Sequence, residues 1–190
     1  MRTDPFPVIG ARPYVLVRDA CHRLKQFGER ALSAQTRQAF FEAFPLTAKE
    51  LEHLIEAVPH KALLIPVPGH NGSATYTKAL AWAVLALCPE KHIFVYDCLE
   101  GPQRESLCDR KRKGQPIEDV PVVFRIKDNL LGAFNGLNPL FEQYSPVLVD
   151  NVVDTGRTAQ AAMAALGIEC PVLAIGATEN YQENQQNEKK

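Results

Sequence analysis

From about residue 59 the chain alternates short apolar runs with longer amphipathic ones. "KALLIPVP" (61–68), "KHIFVYD" (91–97), "VPVVFRI" (120–126), "PVLVDNV" (146–152) and "CPVLAIGAT" (170–178) are compact and mostly apolar. That is the pattern of strands covered on both faces of a parallel sheet. Between them, "ATYTKALAWAVLAL" (74–87) and "TGRTAQAAMAALG" (155–167) predict helices, the second capped by Thr155 and closed by Gly167. Strands alternating with helices predict an α/β fold, an open and mostly parallel sheet with flanking helices. In such a sheet the loops after the strands share one edge, where ligands bind.

Before residue 59 the rhythm differs. Residues 1–13 hold three prolines and predict irregular chain. From about Arg18, Leu24, Phe27, Ala31 and Leu32 recur at helical spacing, and 37–44 continues or restarts the helix. A further helix over 46–58 opens with Thr47 and Glu50, a capping box. The chain therefore divides into a small helical N-terminal unit (1–58), an α/β core (59–178) and a tail (179–190) without apolar rhythm, expected to be flexible. Residues 98–119 are too charged for a core and too long for a simple connection, and 128–145 is a mixed segment.

Composition narrows the class. At 190 residues, with 46% hydrophobic and 23% charged residues, the chain suits one soluble globular domain. A net charge of −1 announces neither nucleic acid nor an acidic membrane. No apolar run reaches the ~18 residues a bilayer requires, and the start of the chain has no apolar core of a secretory signal. Five cysteines at spacings that suit neither zinc nor a disulfide framework fit a reducing interior, so the expectation is cytoplasmic. Trp82, Phe40 and Phe41 are expected in the core, and His22, His53, His60 and His92 show no metal spacing.

The chemistry concentrates in "VLVDNVVDTGRT", residues 147–158. A strand ending at Asp150 and a helix starting near Gly156 leave backbone N–H groups unpaired at a positive helix end, with Thr155, Arg157 and Thr158 as further donors. That suits a phosphate monoester. Asp150 and Asn151, one short turn away, can accept hydrogen bonds from hydroxyls. Phosphate at one end and a vicinal diol close by describe a ribose 5-phosphate.

At this point the stretch resembles the signature of the type I phosphoribosyltransferases: apolar residues, an acidic pair, two apolar residues, then Asp/Thr-Thr/Ala-Gly-x-Thr. The resemblance covers roughly residues 60–178 and implies that fold, with residues 1–58 as the hood that recognises the acceptor. It implies that Asp150 and Asn151 hold the 2′- and 3′-hydroxyls of phosphoribosyl pyrophosphate (PRPP). Asp154, Thr155, Gly156, Arg157 and Thr158 would then cradle its 5-phosphate. Asp154 would also sit near the base as a proton acceptor, and Asp150 would be catalytic with it. Mg2+ would enter with the pyrophosphate, touching Asp150 at most through water. The chain departs from the signature at Asn151, where a second carboxylate is usual; an amide accepts a hydrogen bond but lends no charge to an oxocarbenium-like transition state.

Two other segments stand where the resemblance places ligand contacts. Gly69, His70, Asn71 and Gly72, after the first core strand, read either as a pyrophosphate loop or as a plain βα turn. The basic run containing Arg104, Arg110, Lys111, Arg112 and Lys113 reads as a lid over PRPP, as a solvated loop, or as a nucleic-acid patch. The expected activity is transfer of ribose 5-phosphate from PRPP to a nitrogenous base or related acceptor, with release of pyrophosphate. The alternative is a non-catalytic PRPP or nucleotide sensor, or a competence-type nucleic-acid accessory protein with the same fold. No membrane partner is expected, and the resemblance implies a homodimer.

Overall fold

The computed structural model describes residues 6–27, 34–128, 138–179 and 181. Ala31, Leu32 and nearly all of the tail expected at 179–190 lie outside them.

The central sheet orders its strands β4–β3–β7–β8–β1, with β2 also on β8, and every pairing in it is parallel. Its members are β1 (Val8–Ile9), β2 (Arg12–Pro13), β3 (Lys61–Pro66), β4 (His92–Val95), β7 (Ser145–Val153) and β8 (Val172–Ala177). Two short strands, β5 (Leu99–Glu100) and β6 (Arg125–Ile126), pair antiparallel in a separate ribbon. The helices are α1 (Tyr14–Phe27), α2 (Arg37–Ala43), α3 (Ala48–Ala57), α4 (Thr75–Leu87), α5 (Leu107–Arg112), α6 (Asn138–Gln143) and α7 (Arg157–Leu166). No helix among the described residues is long and apolar enough to cross a membrane.

β8 throughout, β3 after Lys61 and the 147–149 stretch of β7 are buried, as their apolar runs require. One apolar cluster packs Leu24, Leu54, Leu64, Leu80, Val84 and Leu173 on one face of the sheet. The other unites Ile65, Leu148, Ala162, Met163, Leu166 and Val172 on the opposite face, under α7. Each fully buried leucine contributes about 1.5–3 kcal/mol. The helix entries follow local chemistry: Thr36 caps α2, and Thr47 with Glu50 forms the expected capping box on α3.

Four expectations change. Residues 8–13 are not irregular: β1 and β2 extend the sheet along β8, an edge position where Pro7 and Pro13 sacrifice no ladder bond the sheet needs. The segment 120–126 is strand only at β6, since Pro121 offers no donor and Val123 is 59% exposed. Asp150 does not end its strand; β7 continues to Val153. Trp82 is not core but 45% exposed, tilted against buried Phe40. From the segment 1–58, expected as a hood, Val17, Leu24, Phe40 and Leu54 join one of these apolar clusters and Phe6 the other.

Candidate functional site

Parallel strands put the carboxyl ends of β3, β7 and β8 on one edge, and a cleft opens there. Its larger part is a cavity of about 400 Å³. A smaller one of about 190 Å³ adjoins it. Lys25, Leu107, Cys108, Asp150, Val152 and Thr158 line both.

β7 delivers Asp150 and Asn151 to this cleft while still paired with β8, so the sheet itself fixes their backbone. Asp150 is half-buried, and its Oδ1 accepts from the Asn151 backbone N–H at 2.7 Å. Burial pushes its carboxyl up to about 6, against the opposing pull of that N–H, Lys25 and Arg104. Asn151 is 7% exposed, and neither polar atom of its amide has a hydrogen-bond partner among the described residues. Two unsatisfied buried polar atoms cost about 1–3 kcal/mol each, so a partner from outside the chain would be favoured there.

After Val153 the chain turns into α7. Gly156 caps the helix with φ 76°, and Thr155 makes no side-chain cap, correcting the expected role of that threonine. Gly156 is required twice over: a side chain at that φ is strained, and a Cβ would lie 3.0 Å from the Phe6 ring. The capping position is thereby left without a side chain over the first amides of α7, and Thr155, Gly156 and Thr158 around that helix end line the smaller cavity.

Two other residues of the motif make contacts within the protein, and one of them, Asp154, also lines the smaller cavity. Arg157, expected among the phosphate donors, donates to the carbonyls of Ile117, Glu118 and Val120 instead. Asp154, expected as a proton acceptor, pairs with Lys111 at 2.9 Å and accepts from the Thr178 hydroxyl at 2.6 Å.

The loop after β3 is braced internally. The Gly69 N–H donates to Ser73 O, the Gly72 N–H to Gly69 O, and the Ser73 N–H to the Asn71 side chain. Gly69 and His70 line the larger cavity; Asn71 and Gly72 do not, and the two glycine amides expected to meet an anion are spent within the turn. Gly72, at φ 80°, lies against the Gly101 carbonyl.

The basic segment folds across the cleft. Its first leg is tied to the β3 loop by Arg104 N–H to His70 O at 2.8 Å, and its last leg is held by Arg157. Between them α5, capped by Ser106, brings Leu107 and Cys108 over the cavities. Lys111 reaches Asp154, whereas Arg110 stays within the segment, on Glu105 at 3.0 Å and Pro116 O at 2.8 Å.

Sequence reasoning missed Tyr14, Lys25, Cys108 and Thr178 as lining residues. Thr178 follows β8 and was within reach of the strand-end rule that found Asp150. Lys25 carried no signal, since a lysine on the polar side of an amphipathic helix reads as solvated. Lys25 and Arg104 also bear on the expected Mg2+: they place two cations beside Asp150, and the neighbouring position is an amide. A divalent cation held by protein oxygens wants the reverse, so this donor set does not fit one. Comparison of the chain with family models, with curated proteins and with solved structures gives no match in any of the three.

Proposed function

We propose that the protein is a phosphoribosyltransferase, taking PRPP and a nitrogenous acceptor. The observation that carries this is Asn151: a buried amide with two unpartnered atoms, in one cavity with half-buried Asp150 and beside the open N-terminus of a ten-residue helix. A ribose 5-phosphate satisfies all three, with its diol on Asp150 and Asn151 and its phosphate on the first amides of α7, Thr155 and Thr158. The acceptor nitrogen attacks C1, the C1–O bond breaks with its electron pair leaving on pyrophosphate, and the proton released by the nitrogen passes to the departing pyrophosphate. Asp150 faces the ring and stabilises the positive charge that develops there.

Calorimetric titration with PRPP tests this directly. The parent is expected to bind in the micromolar range, and Asp150→Ala or Thr158→Ala to weaken binding at least tenfold. Parent-like binding by both variants would mean that the cleft is not the site. Pyrophosphate release over a panel of bases then identifies the acceptor.

A second reading keeps the ligand site without the reaction, as a sensor or nucleic-acid accessory protein. The observation favouring it is the outward face of α5 and its flank, where the Arg112 and Lys113 side chains are 76% and 58% exposed. Salt-sensitive binding of single-stranded DNA would support it. Steady turnover of PRPP with a base would exclude it.

A further inference from the structure

Three side chains in the larger cavity make no hydrogen bond or ion pair among the described residues. Lys25, exposed on the last turn of α1, makes no hydrogen bond or ion pair among the described residues. The half-buried Arg104 side chain makes none either, although its charge faces Asp150. Asn151 is the third.

The other carboxylates near the cleft are already neutralised. Asp109 is paired with Arg112 at 2.9 Å, and Asp154 with Lys111. Asp150 alone opposes Lys25 and Arg104, so the cavity carries an excess of positive charge even with that carboxylate ionised. An incoming Mg2+ would meet two cations balanced by a single carboxylate in a confined space, where repulsion exceeds that in bulk water. A polyphosphate would meet a guanidinium suited to bidentate contact and a mobile ammonium. The amide completes the set: its Oδ1 accepts from a ribose hydroxyl while its Nδ2–H donates to a phosphate oxygen. A carboxylate at that position would repel the phosphate and call for a metal between them.

We infer that Lys25 and Arg104, with Asn151 at the cavity floor, form a diphosphate subsite that neutralises its ligand without a divalent cation. The assignment rests on the phosphoribosyl reading above and moves charge neutralisation from the metal to the helix α1 and the basic segment.

The test is calorimetry with two probes, PRPP and inorganic pyrophosphate, each in chelator and in millimolar Mg2+. Both probes are expected to bind in chelator, with Mg2+ leaving affinity unchanged or lower because it masks the anion. Lys25→Met and Arg104→Gln are each expected to weaken metal-free binding about tenfold or more. Asn151→Asp is expected to weaken it similarly and to regain affinity on adding Mg2+. PRPP binding that requires Mg2+ in the parent would overturn the subsite and leave the phosphoribosyl reading standing. Metal-free pyrophosphate binding lost in Lys25→Met and Arg104→Gln, with no PRPP binding under either condition, would support the subsite and overturn that reading. Binding of neither probe would overturn both.

Discussion

Asn151 sets two demands against each other. Its buried, unpartnered amide destabilises the empty protein, and the same two atoms are what a ligand would satisfy. Asn151→Leu, which keeps the branching at Cγ, is expected to raise stability by about 1–2 kcal/mol in denaturant titrations while abolishing PRPP binding. A destabilised variant would show that the amide is satisfied by solvent. Asp150 makes a separate prediction through pH. Its carboxyl rises from the ordinary ~3.9 to about 6 on folding, so the folded chain holds a proton that the unfolded chain has released between those values. Folding stability therefore falls as pH rises through that window and levels off above it. Asp150→Asn lacks this slope, and its advantage over the parent should be about 1–2 kcal/mol larger at pH 7.5 than at pH 4.5. An equal advantage at both would mean that the carboxyl is well solvated.

At the scale of elements, the basic segment is a strap fixed at both ends. Arg157 holds one end through three carbonyls, so Arg157→Ala should free residues 117–120 with little change in the core. The expected outcome is faster limited proteolysis between Glu105 and Val120 at a melting temperature within a few degrees of the parent. Unchanged cleavage would place the restraint elsewhere. None of this restraint was legible in the sequence, because Arg157 lies within a motif whose residue types suggest an anion as its partner. The elements with one dominant signal were legible: the apolar runs of β3, β7 and β8, the Thr47–Glu50 cap, and Gly167 closing α7 at φ 67°. Phase and partner choice were not. Nothing local says that β7 stays paired through Asp150 to Val153, or that Gly156 rather than Thr155 caps the next helix; both depend on β8 and Phe6 across the fold. Asp150, Asn151 and Thr158 were found because a strand end followed by a helix start is a local pattern. Lys25 was missed because its contact with the cleft depends on how α1 lies on the sheet.

For the whole molecule, the decisive pairing joins distant parts of the chain. Val8 lies beside Val172 and Arg12 beside Gly176, so β1 and β2 cover one edge of β8. Deleting residues 1–13 would bare a long apolar edge, and the expected product is aggregated or lacks a cooperative melt. A monomeric deletion with the parent's melting temperature would contradict this. The same closure decides when the cleft can exist. Tyr14 and Lys25 are made well before Thr178, which holds Asp154 in place and follows β8. Pairing across such a sequence separation is slow. A nascent chain still on the ribosome thus lacks a wall of the pocket until β8 has emerged. Affinity for an activated sugar would then be acquired only once β8 has joined the sheet, and its appearance during translation would report that the sheet has closed.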